Sequence, residues 1–536
     1  MYLLLSSLWF AWEIKYILFW LYLWQLKDYH IGRFADHFRT HKGKKLIFNP
    51  IQALKIILLI LFLTSGGIFV YLFSILFLIY LGEFVLFLAG IVKKSVKKPV
   101  ITFKTLFLTA VSFGVAVLFL LWTFKQDDFL QPALFLEFDI LTPIIISAIA
   151  LLFQPFFVAI RNNTLRKAEN KLEKIRALSG LKVIAITGSY GKTSTKEFLS
   201  TILSKKYKVL KTKDHQNSEI GVAKCILEDL KPSHQVFIAE VGAYNKGKVK
   251  EVCSILKPKI GIVTGVNEQH LALFGSLRNL LSAEGGGELA DALSGDGILV
   301  INGDNKYCLN LYKNFLGNKK TYSLSNKIID TDIWAEDVEV ARDCVLFITI
   351  NKNKEIGHFK VNVLGKQNVQ NLLGAILIAR ELGMNFGEIS EACKNIKQEQ
   401  AGMVLKQGKH GIDIIDSSYS ANPDGVFADL DYFSVFQGKR AIVMPCLIEL
   451  GNKSSEIHEK IGRKIAEVCD LAIITSKDKF KEIKKGAIES GMSEKNILLC
   501  DNPQDIYSII TLFCKSGDAV LLEGRVPAKL VSLLAD

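Results

Sequence analysis

Val183-Ile184-Ala185-Ile186-Thr187-Gly188-Ser189-Tyr190-Gly191-Lys192-Thr193-Ser194-Thr195-Lys196 decides the fold of the C-terminal two-thirds of this chain. The β-branched apolar run predicts a buried parallel strand. A glycine-flanked turn follows, and Glu197 to Leu203 continue with apolar positions at helical spacing. Glycines at 188 and 191 let the backbone curl with its N–H groups inward, Ser189 is a cofactor-binding candidate of the same loop, and the helix opening through Thr193 and Ser194 adds its partial positive charge there. Lys192 can reach phosphate oxygens and the Thr193 hydroxyl can ligate Mg²⁺. Thr187 stands where the full Walker pattern has its first glycine, but strand and helix flank the loop in the required order. The stretch predicts a nucleotide-phosphate site.

Charge placement narrows the class. The 536 residues carry a net charge of +13, and residues 1–182 alone hold 21 Lys and Arg against 10 Asp and Glu. The base excess belongs to the apolar N-terminal part, so no nucleic-acid partner is expected. All nine cysteines lie between Cys225 and Cys514 without a C-x-x-C pair, which predicts reduced, buried thiols. No removable signal peptide is expected, because the N-terminus lacks a basic region and a small-residue cleavage site.

Five apolar stretches are long enough, or nearly so, to span a bilayer: Leu3–Leu23, Ala53–Phe73, Ser74–Val92, Leu106–Phe124 and Ile140–Ile160. Ser65-Gly66-Gly67 is the turn-like break between the second and third, whose boundary stays open. The basic loops Lys27 to Lys45 and Lys93 to Lys104, and the basic run after Ile160, are expected on the cytoplasmic side. The segment with Asp127, Asp128, Glu137 and Asp139 is expected outside. Five crossings in the plasma membrane with a cytoplasmic C-terminal part satisfy every loop. Glu13, Lys15 and Glu83 fall within spans and require pairing or a helix-end position. The expected organisation is a membrane region over 1–160, a basic helical linker over 161–182, a central domain over 183–400 and a C-terminal domain over 401–536.

Two further strand ends belong with the phosphate loop. Val236 to Val241 is a buried strand that delivers Glu240, placed as a second Mg²⁺ anchor. Ile260 to Thr264 leads into Asn267-Glu268-Gln269-His270, and His270 at that edge is a candidate ligand. Asp214 and His215 lie in a polar loop that carries Asn217 and Glu219 into the next helix. From about Ala401 onward, strands at Ile412–Ile415, Ala441–Met444, Leu471–Thr475, Ile497–Leu499 and Ala519–Leu522 alternate with helical segments. The fold class is therefore an α-helical membrane region followed by two α/β domains, a P-loop-type central ATPase domain and a Rossmann-like C-terminal domain.

Taken in order, Gly188-x-x-Gly191-Lys192-Thr193-Ser194, Asn217-x-Glu219-Ile220-Gly221, Glu240-x-Gly242 and His270-Leu271-x-x-Phe274-Gly275 resemble the Mur ligases. The same holds for Gly365-x-x-Asn368-x-x-Asn371, Asp416-Ser417-Ser418-Tyr419-Ser420-Ala421-Asn422-Pro423 and Glu449-Leu450-Gly451 with His458. Within that family the resemblance is to the type that adds D-Ala-D-Ala to a UDP-muramoyl tripeptide. It implies ATP and Mg²⁺ as cofactors, an acyl phosphate made on a substrate carboxylate, and attack by an amine donor. It places Thr193, Glu240 and His270 on metal and Lys192 on phosphate. Asn368, Asn371 and Asp416 would face the nucleotide, and Asn217, Glu219, Tyr419 and Asn422 the substrate.

Departures accompany the match. The position of the family's carbamylated lysine falls on Glu284, which either supplies the carboxylate directly or marks a site that has lost its second metal. Met403 stands near a usual arginine, Cys446 replaces an aspartate, and Ser417 and Ser420 alter the D-D-S-Y-N motif. Membrane spans occupy the place of the UDP-sugar domain. The partners expected are the bilayer, a muropeptide or lipid-linked cell-wall precursor, and D-Ala-D-Ala or another amine. A poly-γ-glutamate-type acceptor and an inactive nucleotide-binding scaffold are the alternatives.

Overall fold

The computed structural model describes the chain apart from residues 1, 48, 65–68, 214–215, 244, 268–269, 326–329, 420, 449 and 536. Of the residues singled out above, Ser65, Gly66, Gly67, Asp214, His215, Glu268, Gln269, Ser420 and Glu449 lie outside the described ones. The chain divides into two compact units, Met1–Asn162 and Asn163–Asp536.

The first unit is helical. Its five long helices are apolar and long enough to cross a membrane, covering Tyr2–Leu26, Gly43–Thr64, Phe69–Val92, Phe103–Thr123 and Gln131–Leu152. The boundary left open between the second and third spans falls between helices that end at Thr64 and begin at Phe69, on either side of Ser65-Gly66-Gly67. The fifth begins at Gln131, with a proline in its first turn, and ends at Leu152, so Ile160 belongs to the next helix, Gln154–Ser179. Asp139 is thereby not in an outer acidic loop. It lies buried in mid-helix, and the reason is Lys55, whose Nζ sits 2.5 Å from its Oδ2. Glu83 pairs with the same ammonium at 2.7 Å.

The second unit carries two α/β domains. The first has a nine-stranded sheet of β1 (Lys182–Thr187), β2 (Val209–Lys211), β3 (Val236–Glu240), β4 (Ile260–Val263), β5 (Ile298–Asn302), β6 (Asn318–Ser323), β7 (Ile333–Val340), β8 (Val345–Asn351) and β9 (Ile356–Val361). Their order is β2-β3-β1-β4-β5-β6-β7-β8-β9, parallel as far as β7 and antiparallel beyond. Chain order reverses between β1 and β4, and such switch points open a crevice beyond the strands' C-terminal ends. Side chains alternate across β1: Ile184 and Ile186 enter one core, Val183 and Ala185 the other.

The stretch read as a linker is part of that second core. Leu165, Ala168, Leu172 and Ile175, spaced three and four residues apart, are buried with β1 and β3 side chains. Lys171 and Arg176 donate to the carbonyls of Leu227 and Leu256.

The C-terminal domain has β10 (Val404–Gln407), β11 (Asp413–Ser417), β12 (Arg440–Met444), β13 (Leu471–Ile474), β14 (Ile497–Leu499) and β15 (Ala519–Glu523), ordered β10-β11-β15-β12-β13-β14. Among these strands β10, unassigned from sequence, runs antiparallel to its neighbour β11, and the others pair in parallel.

Candidate active site

Between β1 and the helix Lys192–Leu203 the loop is held in a conformation that only glycine tolerates well. Gly188 has φ +140° and Gly191 φ +75°. A Cβ at Gly191 would stand 2.4 Å from Asn371 Oδ1, and one at Gly188 2.3 Å from Thr264 Oγ1. Ser189 N–H donates to the Gly265 carbonyl at 2.7 Å, and the Thr264 hydroxyl lies between the carbonyls of Thr187 and Tyr190. Loop shape is thus fixed by β4's continuation. The Lys192 ammonium folds over the loop and donates to the Gly188 carbonyl at 2.5 Å.

Two clusters flank the loop. In the first, register places Glu240 beside Ile186 at the C-terminal edge. Its carboxylate accepts from the Thr193 hydroxyl at 3.1 and 3.2 Å and from Asn217 Nδ2 at 3.2 Å. Lys196 is wholly buried, with its Nζ 3.2 Å from Glu240 Oε2 and 3.4 Å from Glu197 Oε1. Sequence reasoning passed over Lys196, although a lysine one turn beyond the loop on a buried helix face was a signal. Its charge offsets that of Glu240, which has little contact with water.

In the second cluster Glu284, 1% exposed, accepts from the Ser189 hydroxyl at 2.9 Å and lies 2.9 Å from His270 Nδ1. Burial pushes this carboxyl up, but His270, Lys192 and Ser189 outweigh it and hold the group below the usual glutamate range. Glu284 ends the helix Leu277–Ala283, and Gly286 lets the chain turn there with φ +87°. Glu288 is spent elsewhere, accepting from Gly247 and Lys250 N–H groups.

The remaining candidates fall at graded distances from the loop. Asn371 abuts Gly191 and donates to Asn368 Oδ1 at 3.3 Å, while Asn368 caps the Leu364 carbonyl. Asn422 caps the helix Pro423–Phe433, and Asn267 Nδ2 bridges to it and to Asp424 at 3.0 Å each, tying the C-terminal domain to the β4 edge. Ser194 reaches the Ala401 carbonyl at 3.2 Å. Asp416 is held by Lys406 and Ser418 at 2.6 Å each, which outweigh burial and lower its pKa. Glu219 pairs with Lys248 at 3.0 Å, and Tyr419 is half exposed. His458 is a core histidine: Nδ1 donates to the Ser454 carbonyl and Nε2 accepts from Leu447 N–H. Met403 and Cys446 are buried in the apolar core of this domain.

Among the described residues, no group of three or more His, Cys, Asp and Glu is arranged to hold a metal. The Thr193 hydroxyl and Glu240 carboxylate form a hard-oxygen pair that suits Mg²⁺ when the remaining positions are filled by water or phosphate oxygens. His270 is engaged with Glu284 rather than with Glu240.

Comparison with known proteins fits this arrangement. The Mur ligase middle-domain profile matches residues 186–379, and the Mur ligase glutamate ligase domain profile matches residues 403–526. UDP-N-acetylmuramoyl-tripeptide–D-alanyl-D-alanine ligase of Escherichia coli is 28% identical over 350 residues, covering 65% of this chain and 76% of its own. The enzyme of the same name from Borreliella burgdorferi is 32% identical over 318 residues, covering 57% and 64%. In fold, the chain is similar to MurF from Acinetobacter baumannii, with TM-score 0.62, 22% identity, and 69% and 80% of the two chains covered. A Thermotoga maritima MurF in complex with ADP gives TM-score 0.60 at 22% identity, covering 70% and 83%.

Proposed function

This chain belongs to the Mur ligase family, and from that premise we propose that it is a membrane-anchored, ATP-dependent ligase of the MurF type that joins D-Ala-D-Ala to a muramoyl tripeptide. The observation that carries the reading is the convergence of Lys192, Thr193–Glu240 and Glu284–His270 on one glycine loop at the sheet's switch point. The γ-phosphoryl group of ATP passes to the substrate carboxylate and ADP leaves. The amine then attacks the acyl carbon and phosphate departs, leaving an amide bond. Such chemistry depends on positioning and charge neutralisation.

Each cluster has a task in that reaction. Loop N–H groups and Lys192 orient the transferred phosphoryl and offset its charge. Thr193 and Glu240 would hold Mg²⁺, which supplies positive charge between phosphate oxygens when bound. Glu284, ionised and aimed by Ser189 and His270, supplies directly the carboxylate that relatives obtain from a carbamylated lysine. Asn267 with Asn422 and Asp424 keeps the C-terminal domain at the site.

The five apolar helices favour one variant of the reading, a lipid-linked acceptor presented at the bilayer surface. Detergent-solubilised chain given ATP, D-Ala-D-Ala and either UDP-linked or lipid-linked muramoyl tripeptide tests both, with phosphate release and product mass as readouts. Ligation with either acceptor supports the MurF assignment. Turnover with neither, but with other amino acids, refutes it.

A further inference from the structure

The first unit buries an ion cluster that ligation does not use. Lys55, fully buried, donates to both Glu83 oxygens at 2.9 and 2.7 Å and to Asp139 Oδ2 at 2.5 Å. Trp12 Nε1 and Tyr80 OH complete the Asp139 carboxylate at 3.1 and 3.4 Å. The ammonium also lies 4.8 Å from the Trp12 and Tyr80 ring centroids. Glu83 and Asp139 are thus both satisfied by donors.

Glu13 is the third carboxyl, 0% exposed, and it is treated differently. Its Oε1 has no hydrogen-bond partner among the described residues. Its Oε2 lies 3.0 Å from Thr142 Oγ1, which is also 2.8 Å from the Phe138 carbonyl. A hydroxyl has one proton. It can serve Glu13 Oε2 only when it does not serve the Phe138 carbonyl, so the Glu13 carboxyl has no donor of its own.

Charge balance leads to the same place. The groups facing the cluster are Glu13, Lys15 and Tyr16 from Tyr2–Leu26, Lys55 from Pro50–Thr64, Tyr80 and Glu83 from Phe69–Val92, and Asp139 from Gln131–Leu152. Lys15 is half-buried over the Trp12 ring at 4.6 Å. Even counting it, three carboxyls face two ammonium groups, and an isolated buried carboxylate is too costly to keep charged.

We propose that Glu13 is an intramembrane proton-binding site, loaded at neutral pH and exchanging with water, set beside the fixed Glu83–Lys55–Asp139 ion triad. The ligand is the proton itself: an O–H bond forms on the Glu13 carboxylate, and its release returns the charge to that oxygen. The proposal rests on reading the five helices as membrane spans, and it gives them a proton-linked role separate from the ligase domains.

Infrared spectroscopy of the full chain in lipid vesicles tests it. A protonated-carboxyl C=O band is expected at neutral pH beside the one Glu523 contributes, shifting in D₂O, and the wild-type minus Glu13→Gln difference spectrum should isolate it. Thr142→Val should move the band, because its hydrogen-bond partner is removed. Glu13→Gln copies the shape of the protonated acid, and an unchanged helical amide I band in the same spectra confirms that the first unit folds. A spectrum unchanged by Glu13→Gln, or a Glu13 band that does not shift in D₂O, overturns the site. Whether the chain stays with vesicles through alkaline carbonate washing is scored separately and reports only on the spans.

Discussion

The Glu284 carboxylate lies 2.9 Å from His270 Nδ1, and the two residues are 14 positions apart on successive short helices beyond β4. This pairing puts a buried carboxylate beside the glycine loop at a position where the chain departs from the family pattern. Glu284→Gln keeps the shape and removes the charge. Turnover is expected to fall by about 10²–10³-fold, with weaker Mg²⁺ dependence, as for loss of one preorganised charge. Wild-type turnover should be indifferent to added bicarbonate. Because the Glu284 pKa is depressed, its charge persists as pH falls through the ordinary glutamate range and is lost only at more acidic pH. A pH–rate profile of wild type against Glu284→Gln reads this directly.

Lys192→Ala should lower ATP turnover by at least about 10²-fold. Among the described residues its ammonium donates to a loop carbonyl, and it belongs to none of the apolar cores. The thermal unfolding midpoint should therefore stay within a few degrees of wild type. A variant with normal phosphate release would remove Lys192 from the chemistry.

Leu172 is fully buried against the nine-stranded sheet. Leu172→Ala is expected to cost the second unit about 2–5 kcal/mol, the usual range for such a truncation. Denaturant unfolding followed by ligase-domain fluorescence measures it. A solvated linker would show no change.

A buried acid pair in the C-terminal domain gives a pH signature. Asp429 accepts from Gln367 and from Ser417 at 2.9 and 2.5 Å. Burial, and then the Asp429 charge, push the Glu523 carboxyl well above its usual range. The folded state therefore holds a proton that the unfolded state releases, so this group's contribution is present in acid and is lost as pH rises. Glu523→Gln should flatten that loss and raise stability at alkaline pH relative to wild type. Melting temperatures across a pH series show whether the two curves diverge on the alkaline side.

The basic loops predict a topology that can be tested. In sealed inverted vesicles, protease should digest residues 161–536 and spare the spans. Protection of that half would contradict a cytoplasmic ATP site.

The sequence by itself determined the strand, glycine turn and helix around Gly188 and Gly191, the strand ends carrying Glu240 and His270, and five apolar segments, because glycine spacing, β-branched runs and long hydrophobic stretches are local signals. Only the tertiary structure decided what joins them. Lys55 and Asp139, 84 residues apart, neutralise each other across helices, and neither segment alone tells that its charge is buried. The same holds for Lys196 with Glu240 and for Asn267 with Asn422. β7 and β9 escaped the sequence reading because buried and exposed residues interleave along them, so no continuous apolar run marks either; β8 has such a run, Val345 to Ile348, and went unassigned all the same. The stretch after residue 160 read as a linker because its charges outnumber its apolar residues. Its stripe of Leu165, Ala168, Leu172 and Ile175 acquires meaning only from the sheet that receives it. Long-range pairing of charges and of faces is a property of the packed chain, since each half is costly or neutral until the other arrives.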